Sequence, residues 1–396
     1  MQAATLGVLM AAPAFATIWQ VTPGPDAQER LQSALIEAKP GDVVDIAAGR
    51  YALTDGLSLD VAGVTVRGAG PDKTILSFAA QAAAGEGLLV TADDVVLRDF
   101  AVEDARGDGI KSKGADRIVY KNIRVEWTGG PKETNGAYGL YPVESTHVLI
   151  DGALVKGASD AGIYVGQSKN IIVRNSTAIG NVAGIEIENS YGADVYANLA
   201  THNTGGILIF DLPNLPQQGG RDIRVFNNRV IANDTPNFAP KGNIVASVPT
   251  GTGVMLMANR NVHVFDNELA ENGTSNVMIV AYQNSFADPH YAPVARDIVV
   301  RDNRHGRAGF APGMAEGVAL AQALGGQFPA IFWDGVAGDA ANVHIRDTVP
   351  ALSFNLSSAG APLASGRPSP YTAPTRAAPK APPAIVLPPA MEAAAR

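Results

Sequence analysis

The sequence predicts an all-β solenoid, and three features of the chain lead to that prediction. Short segments in which apolar and polar residues alternate recur along the middle of the chain, as strands with one buried face require. These segments begin at intervals as short as 23 residues, a spacing typical of stacked structural repeats. Each is followed by a second short strand that begins with a small residue. A stack of this kind forms one long domain, whatever its length.

The repeat is regular enough for its coils to be counted. The first strands of successive coils begin at Val95, Ile118, Val148, Ile171, Asp194, Ile223, Val262 and Ile298. Three of the seven intervals are 23 residues long, and the others are longer by insertion. Asparagine often follows the first strand, at Asn122, Asn175, Asn198 and Asn227. Because coils stack about 4.8 Å apart, these asparagines are predicted to form a ladder of amide hydrogen bonds.

The open ends of such a stack need capping elements. Residues 26–38 place Leu31 and Leu35 on one helical face, which predicts an N-terminal capping helix. A helix at residues 314–324 and a strand at residues 331–333 are expected to cover the last coil.

The two termini are predicted to lie outside the solenoid. Residues 1–16 are predicted to be a signal peptide, because a short apolar stretch ends at the cleavage-site pattern Ala14-Phe15-Ala16, although no Lys or Arg precedes it. The protein is therefore expected to be exported, to the periplasm or the extracellular space. Residues 17–348 are expected to form the solenoid domain with its caps. Residues 349–396 are rich in Ala and Pro and are expected to form a disordered tail.

Composition excludes several classes of function. Charged residues make up 17% of the chain and the net charge is -8, so there is no basic excess to bind the phosphates of a nucleic acid. Cysteine is absent, which excludes disulfides and thiol catalysis. No later stretch is apolar for 18 residues, so no membrane span is expected. Phosphate-binding and dinucleotide-binding glycine motifs are also missing from the sequence.

The opening helix, the PGD and AAGRY segments after it, and the 23-residue coils together resemble the right-handed β-helix proteins of the pectin-lyase-like superfamily. The resemblance covers roughly residues 26–345 and implies a single-stranded right-handed parallel β-helix. That superfamily includes polysaccharide lyases, glycoside hydrolases, uronan epimerases, tail-spike adhesins and non-catalytic periplasmic proteins, so it implies a fold without choosing a reaction. Segments such as ASDAGIYVGQS and GGILIFDLPNLPQQGG also resemble a narrower set of exported bacterial β-helix proteins of unsettled reaction.

Two long insertions mark the surface on which a site is expected. Residues 128–138 and 235–250 are inserted at equivalent turns, and three coils without an insertion lie between them. These two wall loops are predicted to enclose a floor about 19 Å long, which suits a few sugar rings. Loops on a rigid scaffold usually carry the binding residues of a protein.

The floor and the wall loops supply the candidate site residues. Tyr141, Tyr164, Asn135, Asn189, Phe210 and Asp211 are predicted to bind the ligand. Glu186 and Glu188 are predicted catalytic carboxylates, because two carboxylates near one bond are the minimum for glycoside hydrolysis. Alternatively, Glu188 and Asp211 are predicted to hold Ca²⁺, with Lys132 or Lys241 as the base for β-elimination or epimerisation. The expected partner is an extended, acidic polysaccharide.

Other interpretations of the same residues remain open. Glutamates and tyrosines on an outward strand face are also ordinary solvated residues, so a non-catalytic protein that binds a glycan or a protein partner is the alternative. The face that carries Leu208, Met255 and Met278 is expected either to be covered by the long loops or to bind a protein partner. A third hypothesis is copper handling, since methionine thioethers suit Cu(I).

A short motif adds one more catalytic candidate. Asp288-Pro289-His290 resembles the DPH motif of the β-helical uronan C5-epimerases, which implies a catalytic role for His290. In those enzymes an acidic residue follows the motif, whereas Tyr291 follows it here. Asp-Pro is also a common turn dipeptide, so a structural turn is the competing interpretation.

Overall fold

A computed structural model of the protein describes residues 16–83, 85–314 and 317–396. Its strands form three long sheets that run along the molecule, and consecutive strands of the chain belong to the three sheets in turn. Each coil therefore contributes one strand to each sheet and hydrogen-bonds to the coils before and after it. This arrangement confirms the predicted all-β, right-handed parallel β-helix. The predicted signal peptide, residues 1–16, lies outside the described residues except for Ala16.

Sheet A contains the first strand of every coil. Its twelve strands are Ile18–Val21, Val43–Ile46, Thr65–Arg67, Val96–Arg98, Ile118–Lys121, Thr146–Asp151, Lys169–Arg174, Tyr191–Tyr196, Arg221–Phe226, Arg260–Phe265, Arg296–Arg301 and Val343–Ile345. Seven of the eight starts that the sequence repeat predicted lie within these strands, and the eighth, Val95, directly precedes strand Val96–Arg98.

Sheet B was missed by the sequence pattern, because most of its strands are only three residues long and show too little alternation to detect. Its ten strands are Gly49–Ala52, Thr74–Ser77, Ala101–Glu103, Arg124–Glu126, Leu154–Lys156, Thr177–Ile179, Leu199–Thr201, Arg229–Ile231, Glu268–Ala270 and Arg304–His305.

Sheet C contains the second strands that the sequence repeat predicted. In order they are Leu57–Leu59, Leu88–Val90, Ile110–Lys113, Tyr138–Val143, Ala161–Gly166, Ala183–Glu188, Gly205–Phe210, Thr252–Met257, Ser275–Val280, Ile331–Trp333, Ala351–Ser353 and Ser369–Pro370. All pair in parallel except the last, which is antiparallel to its neighbour. The two wall loops enter this sheet, so the predicted floor is the outer face of sheet C.

Three helices complete the structure. Helix α1 (Ala27–Glu37) buries Leu31 and Leu35 against the first coil, as the capping-helix prediction requires. Helix α2 (Gly317–Ala323) lies in the segment predicted to be helical near the other end. Helix α3 (Pro389–Ala394) is close to the C-terminus. Among the described residues no helix has the length and apolar character needed to cross a bilayer.

Aliphatic side chains that point inward from all three sheets fill the interior of the coils. Buried asparagines stack beside this core at two corners. One ladder joins Asn198, Asn228, Asn267 and Asn303 through side-chain hydrogen bonds of 3.0, 3.0 and 2.9 Å, and it ends on Asp347 at 2.8 Å. The amide oxygens of Asn228, Asn267 and Asn303 each also accept from a backbone N–H of the preceding coil, so the ladder fixes the register between coils.

The predicted ladder was partly wrong, because three of its four members are displaced by one residue. Asn122, Asn175 and Asn227 have left-handed φ angles of 51°, 51° and 53°, so they form the turn itself. Asparagine tolerates that region better than most residues. In the third case the next residue, Asn228, is the one that points inward and joins the ladder.

The C-terminal segment has defined structure where its composition predicts disorder. Strand Ala351–Ser353 extends sheet C in parallel with Ile331–Trp333. Beyond it, the Tyr371 hydroxyl donates to the Val343 carbonyl oxygen at 2.7 Å, next to the last strand of sheet A. The composition of the segment does not predict this structure, because the segment is ordered by the surface it contacts and not by its own secondary-structure propensities.

The chain then returns along the outer face of sheet A. The Ile385 N–H donates to the Asp194 carboxylate at 3.0 Å, and Glu392 pairs with Arg174 at 2.8 Å. Apolar side chains of the terminal segment pack on an apolar patch of that sheet, and this cluster contains Leu387, Met391 and Ala395 together with Val119, Leu149 and Ile172. The tail thus forms a strap that covers outward aliphatic residues of sheet A.

Met391→Lys is expected to lower the free energy of unfolding by about 1–3 kcal/mol, because it places a charge in a buried apolar contact. Thermal denaturation followed by circular dichroism measures the change. Val386→Lys is the matched control, since Val386 lies in the same segment but is 83% exposed. Equal effects of the two substitutions would contradict the docking of the strap.

Candidate functional site

The outer face of sheet C changes character halfway along the solenoid. Because its strands pair in register, side chains at one position of each coil form a column. From the N-terminal side the column reads Lys111, Tyr141, Tyr164, Glu186, Leu208, Met255, Met278 and Phe332. A second column beside it reads Gly166, Glu188, Phe210, Met257 and Val280. The face is therefore acidic and aromatic in its first half and apolar in its second half.

The expected open floor is covered. Tyr164, Glu186, Glu188 and Phe210 are all buried, with 4%, 1%, 6% and 1% of their surfaces exposed. Apolar side chains on the second half of the face need to be shielded from water, and the wall loop 235–250 folds over them to do so. This loop is a cover and not a free-standing wall.

Direct contacts place this cover on the floor. Val245 and Val248 of the loop belong to the same buried apolar cluster as Leu208 and Phe210. Further along the face, the Asn243 side chain donates to the Asp160 carboxylate at 2.9 Å. One loop thus touches both the apolar half of the face and its acidic half.

Glu188 is held by the neighbouring coil. The Tyr164 hydroxyl donates to the Glu188 carboxylate at 2.6 Å. Gly166 makes this contact possible, because a Cβ there would lie 2.4 Å from the Tyr164 ring and hydroxyl. Burial raises the pKa of Glu188 to about 7, while the hydrogen bond from Tyr164 opposes that rise.

Glu186 is the least compensated acidic group of the site. Neither oxygen of its carboxyl group has a hydrogen-bond partner among the described residues, and both oxygens are buried. Burial, followed by the nearby charges of Glu188 and Asp160, raises its pKa well above the usual range. Both effects favour the protonated form of Glu186, because an unpaired buried charge is strongly unfavourable.

Two further carboxyl groups extend the cluster towards the N-terminal side. Burial raises the pKa of Asp160 to about 7, although its hydrogen bond from Asn243 acts in the opposite direction. Burial likewise raises the pKa of Asp108 to about 6, against the attraction of Lys111. Sequence reasoning missed both residues because they lie in the corners before strands of sheet C. The signal was an aspartate one or two residues before the glycine of GDGI and SDAGI.

Three tyrosines pack together above the cluster. Ring centroids of Tyr138 and Tyr141 lie 4.4 Å apart, and each lies within 4.9 Å of the Tyr164 ring. Tyr138 and Tyr141 are only partly buried, so they form the edge of the acidic half that meets solvent. The Lys111 ammonium group lies 4.8 Å from the Tyr141 ring and 3.2 Å from the Glu86 carboxylate.

Asn189 and Asp211 take part in structural contacts. The Asn189 side chain donates to the carbonyl oxygens of Leu212 and Gln217, and the Asp211 carboxylate accepts from the backbone N–H groups of Gly219 and Gly220. Both residues therefore fix the loop that follows strand Gly205–Phe210.

The predicted calcium pair, Glu188 and Asp211, has no third ligand in place. In residues 16–83, 85–314 and 317–396, no group of three or more His, Asp or Glu side chains is arranged to hold a metal ion. The hydrogen bonds that Asp211 accepts and the tyrosine on Glu188 already engage these carboxylates.

The predicted wall-loop residues lie apart from the acidic cluster or are engaged elsewhere. Lys132 and Lys241 are exposed on their loops. Asn135 donates to the carbonyl oxygens of Gly130 and Gly157 at 2.9 and 2.7 Å, which fixes the first wall loop. None of the three is brought against Glu186.

His290 is also exposed, and the motif that contains it forms a turn. The Asp288 carboxylate accepts from the His290 backbone N–H at 2.9 Å and from the Gln218 side chain. The next residue, Tyr291, is the one that reaches inward, and its hydroxyl donates to the Asp211 carbonyl oxygen. This geometry accords with the turn interpretation of the motif.

The proposed protein-binding face is covered by the chain itself. Leu208, Met255 and Met278 are 0%, 7% and 4% exposed, so of the two alternatives for this face the structure shows coverage by loops, and nothing supports a protein partner there. The physical reason is the apolar surface that Val245 and Val248 share with the face.

The family model described as right handed beta helix region matches residues 74–235 and 133–288, which together span more than half of the chain. The chain therefore belongs to the right-handed β-helix family. No curated protein matches its sequence significantly.

Solved structures with the same fold include enzymes from several sources. DFA-IIIase from Arthrobacter chlorophenolicus A6 is 14% identical with a TM-score of 0.59, covering 88% of this chain and 85% of its own. The catalytic unit of a thermostable GH87 α-1,3-glucanase from Streptomyces thermodiastaticus is 17% identical with a TM-score of 0.50, covering 86% of this chain and 53% of its own. The mannuronan C-5 epimerase AlgE4 A-module from Azotobacter vinelandii is 14% identical with a TM-score of 0.48, covering 84% and 92%.

Glu186→Gln is expected to stabilise the protein as the pH rises. Since burial raises the pKa of Glu186 above its unfolded value of 4.5, the unfolded state ionises first and the wild type loses stability above that pH. The melting temperatures of variant and wild type should be similar at pH 4.5, and the difference should grow towards pH 8. Glu37→Gln, on the exposed side of α1, is the control. A difference that does not change with pH would contradict the burial of an uncompensated carboxyl group.

Proposed function

We propose that this protein binds a polysaccharide at the acidic half of the sheet C face and hydrolyses its glycosidic bonds. One observation carries the proposal. Two glutamates lie side by side on strand Ala183–Glu188, and burial raises the pKa of both. Enzymes tune carboxyl groups in this way so that one is an acid and another a base near neutral pH.

The two carboxyl groups suit different tasks. Glu186, whose pKa burial raises well above its ordinary value, is the proton donor to the oxygen of the departing sugar. Glu188, with a pKa of about 7, is poised to accept a proton from the attacking water. Residues two apart on a strand have Cα atoms about 6.6–7 Å apart, a spacing that allows their carboxyl groups to take the roughly 6.5–9.5 Å separation found in inverting glycosidases.

The tyrosines offer a surface for sugar rings. Tyr141 and Tyr138 are partly exposed at the edge of the acidic half, and the apolar face of a pyranose packs well on an aromatic ring. From that edge a sugar chain would run along the column towards Glu186. The α-1,3-glucanase with this fold supports the proposal only in showing that such a scaffold accommodates a glycan-acting site.

A neutral polysaccharide fits this site better than the acidic one expected from the sequence. Four carboxyl groups with raised pKa values line the face, and an ionised uronate would be repelled by any of them that is charged. Lys111 is the cation closest to the tyrosines, and it is already paired with Glu86 and Asp108. Lys132 and Lys241 lie exposed on the loops and do not offset this charge.

A substrate must displace part of the cover to reach the glutamates. The Asn243–Asp160 hydrogen bond is the polar contact that holds loop 235–250 over the acidic half, so we propose that it opens to admit the sugar chain. Asn243→Ala is then a variant that gives easier access to Glu186 and Glu188 and that removes only the hydrogen bond to Asp160.

A second candidate function is glycan binding without turnover. The complete burial of Glu186 and Glu188 beneath the cover favours it, because a binding protein needs only the partly exposed tyrosines. In that case the carboxyl groups would be structural, and the tyrosine edge would form the whole site.

Purified protein incubated with neutral glycans and with uronans should release reducing ends from a neutral glycan. Glu186→Gln and Glu188→Gln should each lower kcat by about 10²–10⁴-fold, the usual contribution of an acid or base group. Glu37→Gln should leave it unchanged. Turnover of a uronan alone would support the acidic substrate instead. Binding that is lost in Tyr141→Ala, without turnover of any glycan, would establish the second function and overturn hydrolysis.

Export remains a proposal that rests on residues 1–16. The apolar stretch and Ala14-Phe15-Ala16 favour removal of this segment during secretion. Mass spectrometry of the protein from the periplasmic and medium fractions is expected to find an N-terminus at Thr17, and full-length protein confined to the cytoplasm would contradict it.

A further inference from the structure

The apolar half of the sheet C face carries a second feature that glycan chemistry does not use. A cavity of about 180 Å³ lies between the sheet and the segments that cover it. Four of the seven methionines of the chain line it, and they are Met255, Met257, Met278 and Met314. Four thioethers therefore border one space.

Three of these methionines have fixed relative positions. Met255 and Met278 are register partners on neighbouring parallel strands, which places their backbones about 4.8 Å apart. Met257 lies two residues further on the same face of the strand. All three are nearly buried, at 7%, 4% and 4% exposure, and all three line the cavity. Met314 adds a fourth from a covering segment. The Met278 sulfur also accepts a hydrogen bond from the Thr252 hydroxyl at 3.5 Å.

The polar part of the lining consists of one carboxylate and the side chains of Ser247, Gln283 and Asn284. Asp334 is the only carboxylate among the lining residues, and its two oxygens already accept from the backbone N–H groups of Ala281 and Val336. None of the lining residues is a histidine, and the chain has no cysteine. Calcium and magnesium prefer oxygen ligands, whereas soft ions prefer sulfur.

Packing alone does not account for the arrangement. Methionine is often used to fill irregular gaps in a core, because it is flexible. Here the four side chains line a space of about 180 Å³, which is larger than the roughly 150 Å³ apolar cavity known to accept benzene. A space of this size lined by sulfur has room for an ion and for movement of the thioethers around it.

We propose that this methionine cavity is a binding site for a soft monovalent cation, Cu(I), coordinated by the thioethers of Met255, Met257 and Met278. The Asp334 carboxylate in the same lining would offset part of the ion's charge. The site is separate from Glu186 and Glu188, because Leu208 and Phe210 lie between the glutamates and the methionines in the two columns.

The test uses the whole purified protein under anaerobic conditions. Cu(I) is titrated in competition with a chromophoric chelator, Ag(I) is used as a probe that does not change oxidation state, and bound metal is counted by mass spectrometry. One ion per chain is expected. The double variant Met255→Leu/Met278→Leu keeps the apolar volume and should weaken binding by about 100-fold or more.

Met391→Leu is the matched control, since this methionine lies in the strap on sheet A, and it should bind Cu(I) like the wild type. Glycan turnover by the double variant should be unchanged, so failure of the copper site and failure of the proposed function are distinguishable. If the wild type does not take Cu(I) from the chelator, the proposal is wrong. Equal Cu(I) binding by the double variant and the wild type would also overturn it. So would a hydrophobic dye, bound in the cavity, that a small aromatic molecule displaces but Ag(I) does not.

Discussion

The in-register hydrogen bonding of each coil to the next is the constraint on which the rest of this structure depends. Because the strands of successive coils pair in parallel and in register, a residue type that recurs in the sequence becomes a column in space. Asparagines at one corner become the ladder from Asn198 to Asn303, and aliphatic residues become the continuous interior. The same rule produces the tyrosine cluster and the methionine cavity on the outer face of sheet C.

The same stacking also brings carboxyl groups close together. Glu186 and Glu188 share a strand, Asp160 lies at the start of the preceding one, and the cover excludes water from all three. Three carboxyl groups in so little solvent cannot all be ionised without a large electrostatic penalty. A protein with only structural requirements would gain stability from apolar residues at these positions. These acidic groups are therefore the basis of the proposed hydrolysis.

The sequence predicted the fold well, because a 23-residue period with alternating strands leaves few architectures open. It missed the third sheet, since three-residue strands carry almost no periodic signal. Tyr164, Glu186 and Glu188 were placed on the right face, because alternation along a strand decides which side a residue takes. Their burial was not predictable, because it depends on how loop 235–250 folds back. Asp108 and Asp160 lie in corners, where side-chain direction has no simple period, and the strap shows that apolar contacts can order a segment of low complexity.

The central claim is that Glu186 is a buried, neutral acid at physiological pH. Infrared spectroscopy separates the carbonyl stretch of a protonated carboxyl group from that of a carboxylate, so the comparison of wild type with Glu186→Gln at pH 7 tests the claim directly. The account predicts a protonated-carboxyl band in the wild type that disappears in the variant. If the substitution instead removes a carboxylate band at pH 7, Glu186 is ionised, and both its proposed role as proton donor and the proposed mechanism are wrong.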